Sequence, residues 1–133
     1  MGSEMCIRDR GYNGIGSSVA IIFDTYNGAG GQFSIDFQTN GTTQNQGVSG
    51  VLNATLGLTA GQTWSFLVVA TYNGTALSYT ITNTANGSNY TASSNVNITN
   101  TLGSSNGWIG FTSATGGATE GCFLSAWNWS NAK

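Results

Sequence analysis

The chain has 133 residues, with three Lys or Arg, five Asp or Glu, no His and no Pro, and most of its polar residues are Asn, Ser and Thr. Without a basic stripe it cannot neutralise a run of phosphates, which argues against nucleic acid as a partner. No run of about 18 apolar residues is present, which argues against membrane insertion. The length fits a single domain that can bury its own core.

The first ten residues, MGSEMCIRDR, form a cluster of charge that the rest of the chain lacks. Residues 1–9 resemble the translated end of a transposase-type sequencing adapter, read in one frame. We therefore expect residues 1–10 to be a non-native segment, and residue 11 to continue a gene whose natural start lies upstream. A genuine charged N-terminal arm is the alternative. We leave these ten residues out of the fold prediction.

From residue 11 onward, apolar and polar side chains alternate with a period of two, which predicts strands. In chain order, we expect strands at 18–26, 32–39 and 48–56, separated by Gly-rich and Asn-rich links. Residues 63–83 predict a β-hairpin, because two alternating runs flank Asn73-Gly74, a pair that fits a type I′ turn.

The C-terminal half continues this pattern. Further strands are expected at 87–94, 107–113 and 122–130, and no segment shows the caps of a helix. Many short strands separated by turn residues predict an all-β sandwich or barrel. The four Trp residues are expected in its core, with the last as the most plausible exception; they are Trp64, Trp108, Trp127 and Trp129.

Four blocks of this sequence carry a resemblance to a known family. They are GYNGIGSS, SVAIIFDTYN with FSIDF, the hairpin GQTWSFLVVATYNGTALSYTIT, and NGWIGFTSATGGATEGCFLSAWNWS. In this order they resemble the L-type (legume-type) lectins of bacteria. The resemblance implies a concanavalin A-like jelly-roll β-sandwich, N-terminally truncated, with residues 11–133 as its C-terminal part. It also implies a secreted or cell-surface protein that binds sugars without catalysis, its signal peptide lying outside this fragment.

The resemblance also implies roles for residues around the first strand. The metal-ligand candidates are Asp24, Tyr26 and Asn27, and Asn27 is the candidate for the family's sugar-binding Asn. The family's Glu corresponds to Ile22 here, and its His to Gln32. Because Ca²⁺ takes six to eight oxygen ligands, we expect a degenerate metal site and no cofactor, although Ca²⁺ is still the candidate. Amides of the following loop would then satisfy Asp24.

The resemblance places the rest of the sugar site in the C-terminal loop. Gly117, Thr119 and Glu120 would rim a pocket there together with Asn27. An ordinary Gly-rich turn explains the same residues equally well. The family's sugar-binding Asp and Gly would lie upstream of residue 11.

Three functions compete on this sequence. The first is a non-catalytic carbohydrate-binding or adhesion module, whose partner is a glycan or a cell-surface carbohydrate. The second is an enzyme such as a glycoside hydrolase, which is disfavoured because the chain lacks His and has few carboxylates for acid–base work. The third is a structural spacer that has kept the sandwich and lost its ligand. We also expect strand edges left open by truncation to promote aggregation.

Overall fold

The computed structural model of the protein describes residues 11–27, 32–42, 52–114 and 121–130, with the backbone alone for Tyr26 and Asn27. Strands dominate these residues, and the two helices are short. In chain order the elements are β1 (Val19–Asn27), β2 (Gln32–Thr39), α1 (Asn53–Leu56), β3 (Phe66–Tyr72), β4 (Ala76–Asn83), β5 (Asn89–Asn95) and α2 (Ile98–Leu102). The fold is all-β, as the sequence predicts.

The first sheet consists of β1 and β2, which pair antiparallel. Their register runs from Val19 opposite Thr39 to Asp24 opposite Ser34. It then shifts before Asn27 meets Gln32, which places a β-bulge near the end of β1. Since side chains alternate between the faces of a strand, β2 presents one apolar face and one polar face. The apolar face carries Phe33, Ile35 and Phe37, and the polar face carries Ser34, Asp36 and Gln38.

The second sheet is antiparallel, with strand order β3-β4-β5. The predicted hairpin is confirmed, but its turn differs from the expected one. Asn73 donates its N–H to the carbonyl of Ala76, so Gly74 and Thr75 are the two central residues. Gly74 has a φ of 97° and Thr75 has no positive φ, as in a type II′ turn. The Asn73 Oδ1 accepts from the backbone N–H groups of Thr75 and Ala76, which fixes the turn.

The core lies between the two sheets. The ring of Phe33 stacks on Phe66 at 5.3 Å between centroids, and the ring of Phe37 lies 5.2 Å from that of Tyr79. These contacts join the apolar face of β2 to the inner face of β3 and β4. The fully buried members of the core are Phe33, Ile35, Leu56, Tyr79 and Ile81. A two-sheet packing of this kind buries aromatic rings in offset or tilted pairs, which is their favoured geometry.

The predicted strand at 48–56 is wrong where the structure describes it, because residues 53–56 form α1. Leu52 and Leu56 are four residues apart on this single turn, and both are buried in the core. The Asn53 Oδ1 accepts a hydrogen bond of 2.7 Å from the backbone N–H of Phe33. Packing against β2 therefore decides the conformation, in preference to the local alternation of the sequence.

A second helix, α2, also contradicts the expectation that no capped helix exists. Its N-cap is Asn97, whose Oδ1 accepts a hydrogen bond of 2.9 Å from the backbone N–H of Asn100. Asn is among the favoured N-cap residues for this reason. Neither helix of the described ranges is long and apolar enough to cross a membrane.

The predicted strands at 107–113 and 122–130 are wrong, since the structure assigns no strand to either segment. The alternation of their sequence is real, but a strand needs a neighbouring edge to pair with. As a result, the expectation that Trp108 and Trp127 lie in the core is also wrong, whereas Trp129 is exposed as the exception that the sequence analysis allowed for. Trp108 is fully exposed, while Trp127 and Trp129 expose more than half of their surface. Trp64 alone among the four is half-buried, against Phe33.

Candidate functional site

The predicted metal residues lie around the polar face of the first sheet. Ile22 and Asp24 share this face, and both are buried on either side of the exposed Phe23. Asp36 lies opposite Ile22 in the register, and Ser34 lies opposite Asp24. The two carboxylates therefore occupy diagonal positions on neighbouring strands, which places their Cα atoms about 7–8 Å apart.

Both carboxylates are enclosed by the protein. Asp24 is 7% exposed and Asp36 is 8% exposed, and both residues have interaction partners within the chain. At the other end of this face, the Tyr12 hydroxyl donates to the Gln38 carbonyl at 3.4 Å. Thr42 donates its hydroxyl to the Gln38 side chain at 3.0 Å. Gln38 thus bonds Tyr12 of the N-terminal segment through its backbone and Thr42 through its side chain.

These residues fit a Ca²⁺ site poorly. Ca²⁺ requires six to eight oxygen ligands at 2.3–2.6 Å, whereas the apolar side chain of Ile22 lies beside Asp24 and opposite Asp36. In the ranges that the structure describes, no three His, Cys, Asp or Glu residues are grouped closely enough to hold a metal ion. Tyr26 and Asn27 lie at the end of β1, and their side chains are outside the described atoms.

The remaining predicted sugar-binding residues belong to the C-terminal loop. Gly117, Thr119 and Glu120 lie outside the described residues, as do residues 28–31 of the loop after β1. The proposed rim that joins Asn27 to the C-terminal loop therefore stays a prediction.

The exposed surface of the described residues carries no charge. Within residues 11–27, 32–42, 52–114 and 121–130 the charged residues are Asp24 and Asp36, which are both buried. The surface instead exposes amides, hydroxyls and aromatic rings, together with aliphatic side chains such as Leu67, Val69 and Ile109. On the outer face of the second sheet, for example, the Thr71 and Ser78 hydroxyls pair at 2.8 Å, and so do those of Thr80 and Thr91. The contacts open to such a surface are hydrogen bonds and apolar contacts, without ion pairs.

A groove that the sequence did not predict lies beside the second sheet. We call it the Trp64 groove; it has a volume of about 220 Å³ and is lined chiefly by Thr59, Gln62, Thr63, Trp64, Asn83 and Asn86. One wall is the segment that follows α1, and the other is the turn between β4 and β5. The indole of Trp64 lies between them and packs edge-on against Phe33, with 6.0 Å between the ring centroids.

Side-chain amides hold the two walls of the Trp64 groove together. The Leu56 carbonyl, at the end of α1, accepts hydrogen bonds from Asn83 Nδ2 at 2.8 Å and Asn86 Nδ2 at 3.1 Å. The Trp64 indole N–H donates to the Thr59 carbonyl at 3.0 Å, which fixes the ring. The turn itself is closed by Asn83 and Asn86, whose Oδ1 atoms accept from Ala85 and Ser88 N–H. Hydrogen bonds within the chain therefore set the shape of the groove.

One feature of the sequence pointed to this groove, namely the several Asn residues in the turn after β4. Asn83 and Asn86 flank a turn that ends in Asn86-Gly87, and Asn side chains commonly cap such turns. The partner carbonyl of Leu56 lies 27 and 30 residues earlier, beyond the reach of any local pattern.

Comparison of the chain with protein-family models, with curated proteins and with solved structures finds no match in any of the three.

Proposed function

We propose that this chain is a non-catalytic carbohydrate-binding (lectin-like) or adhesion module of a secreted or surface bacterial protein. The observation that carries the proposal is the uncharged surface of amides, hydroxyls and rings across all described residues. Sugars present hydroxyl groups and apolar C–H faces, which these side chains complement. The resemblance of the sequence to L-type lectins, and with it a jelly-roll arrangement of the strands, supports the same proposal.

Catalysis is the weaker alternative for a structural reason. A glycosidase places two carboxyl groups about 5–9.5 Å apart on either side of a glycosidic bond. Asp24 and Asp36 occupy diagonal register positions on neighbouring strands, but both are buried on one face of a two-stranded sheet. A substrate would have to displace the packing of that face to reach them. The proposed partner is therefore a neutral glycan that is bound and released unchanged.

A structural spacer is the second candidate, and a specific observation favours it. The amides of Asn83 and Asn86 already bond the Leu56 carbonyl and the turn N–H groups. Each amide thus retains only part of its hydrogen-bonding capacity for a ligand. In the spacer hypothesis these bonds, and the burial of Asp24, serve stability alone.

A glycan array separates the two candidates. The labelled 133-residue chain is applied with Ca²⁺ and again with EDTA, and a heat-unfolded sample serves as the control for non-specific adhesion. The lectin-like proposal predicts binding to a restricted set of glycans by the folded sample, equal in both buffers. Absence of binding in both buffers would remove the lectin-like function and leave the spacer. Binding that requires Ca²⁺ would show that the metal site is intact.

A further inference from the structure

We infer that the Trp64 groove is a binding site for one ring of a neutral glycan, and that this binding does not depend on a metal ion. The inference rests on the proposed function and adds a location that the family resemblance does not supply. None of the residues predicted from that resemblance lines the groove.

The first support is preorganisation. The walls are tied to each other through the Leu56 carbonyl, and the indole is tied to Thr59. Gly57 makes the close approach possible: its φ is 63°, and a Cβ atom there would lie 2.5 Å from Asn86 Nδ2. A ligand that enters a groove of fixed shape does not have to order the protein, which lowers the cost of binding.

The second support is the chemistry that remains available. Thr59, Gln62 and Thr63 are exposed, and among the described residues their side chains make no hydrogen bond. They offer two hydroxyls and one carboxamide at the open side of the groove, where they can donate to and accept from sugar hydroxyls. The Trp64 N–H is already bonded to Thr59, so the ring contributes an apolar surface for C–H groups.

The third support is what the groove excludes. Its lining carries no charge, so an anionic or cationic ligand would lose hydration without gaining a partner. Its volume of about 220 Å³ lies below the roughly 300–1,000 Å³ of sites for drug-sized ligands. The groove therefore fits a single ring, either alone or as part of a longer chain that continues across the neutral surface.

The test uses NMR on the ¹⁵N-labelled full chain with EDTA present. The probes are the methyl glycosides of glucose, galactose, mannose and N-acetylglucosamine, with glucuronic acid as the charged comparison. We expect at least one neutral glycoside to shift the Trp64 indole N–H and the Gln62 side-chain amide, and glucuronic acid to shift neither. The Trp64 signal is assigned from its loss in Trp64→Phe.

Two variants then locate the site. Gln62→Ala removes an exposed side-chain amide that makes no hydrogen bond within the described residues, and we expect binding about 5-fold weaker, as for the loss of one hydrogen bond. Asn95→Ala is the control: it removes an exposed amide six residues along β5 from Asn89, about 20 Å away, and should leave affinity unchanged.

The outcomes separate this inference from the proposed function. If the array shows glycan binding but the bound glycan shifts neither groove signal, and Gln62→Ala binds as well as the unaltered chain, the Trp64 groove is not the site and the proposed function still holds. If no glycan binds at all, both fail. Equal shifts of the Trp64 and Gln62 signals with glucuronic acid would contradict the assignment to neutral sugars.

Discussion

Strands β3 and β4 of the three-stranded sheet carry similar side chains on their inner face, but the two strands differ in how far those side chains are buried. On β4, the inner side chains of Tyr79 and Ile81 are fully buried beneath the apolar face of β2. On β3, which pairs with β4 residue by residue, the inner side chains of Val68 and Tyr72 keep more than a third of their surface exposed. Among the described residues the opposing sheet has two strands, which cover the inner side chains of β4 and leave those of β3 more exposed.

This difference teaches that position under the opposing sheet, rather than side-chain type, sets what each residue contributes. The two edge strands of the sheet differ in side-chain type as well. β5 exposes Asn, Ser and Thr side chains to solvent. β3 exposes Leu67 and Val69 on its outer face as well as Val68 on its inner face. β4 therefore lies in the covered part of the sheet, and β3 is its exposed apolar edge.

The largest expected effect tests this contrast in the core. Ile81 and Val68 are register partners on the same inner face, but Ile81 is fully buried and Val68 is 39% exposed. We expect Ile81→Ala to lower the free energy of unfolding by about 2–5 kcal/mol, because it opens a cavity. Val68→Ala should lower it by less than about 1 kcal/mol, because part of its surface is in water already.

Urea denaturation followed by far-UV circular dichroism measures both variants. Equal losses of stability would mean that β3 is covered in solution as completely as β4. That result would contradict the one-sided packing.

An intermediate effect is expected at the junction of α1 with the β4–β5 turn. Gly57→Ala places a side chain at a φ of 63° and 2.5 Å from Asn86 Nδ2. The Asn86 amide can move away, but it then loses its bond to the Leu56 carbonyl. We expect a loss of about 2–3 kcal/mol in the free energy of unfolding, from left-handed backbone strain together with one hydrogen bond.

Gly61→Ala is the matched control for the backbone term. Its φ is 78°, and a Cβ atom there would meet no atom within 4 Å. Gly61→Ala should therefore lower the free energy of unfolding by about 1–2 kcal/mol, from the strain of the left-handed conformation alone. If the two variants melt at the same temperature, the contact between Asn86 and α1 contributes nothing to stability.

The parts of this fold that could be predicted from sequence are those that local patterns determine. The hairpin of β3 and β4 was predictable because Asn73 and Gly74 interrupt two alternating runs. The helix α1 was not, since Leu52 and Leu56 gain their burial from β2, some 20 residues away in the chain. The segments at 107–113 and 122–130 alternate as strands do, but alternation does not supply a partner edge.

The candidate site divides in the same way. The shared face of Ile22 and Asp24 follows from strand periodicity, so the sequence could predict that an apolar side chain lies beside the Asp24 carboxylate. The Trp64 groove could not be predicted, because it depends on hydrogen bonds between Leu56 and residues 27 and 30 positions later. Long-range amide–carbonyl bonds leave no periodic trace in a sequence.

The smallest expected effect on stability concerns the exposed edge, where the effect on association should be clear. β3 has neither charge nor Pro in FLVVATY, and such a strand at the edge of a sheet can pair with another copy of itself. Val69 lies on the outer face and is 51% exposed. We expect Val69→Lys to change the free energy of unfolding by no more than about 0.5 kcal/mol, and to lower self-association in sedimentation velocity at high protein concentration.

Thr91→Lys provides the control, because Thr91 lies on the polar edge strand β5 in the same row of the sheet as Val69. In that row Val69 is opposite Thr80, and Thr80 is opposite Thr91. Both substitutions bring the net charge of the chain from −2 closer to zero, a change that by itself favours association. Lower association of Val69→Lys alone would therefore identify the β3 edge as the surface responsible. Equal self-association of the two variants would show that the edge of β3 is protected in solution. The difference between β3 and β4 would then concern only the burial of their inner side chains.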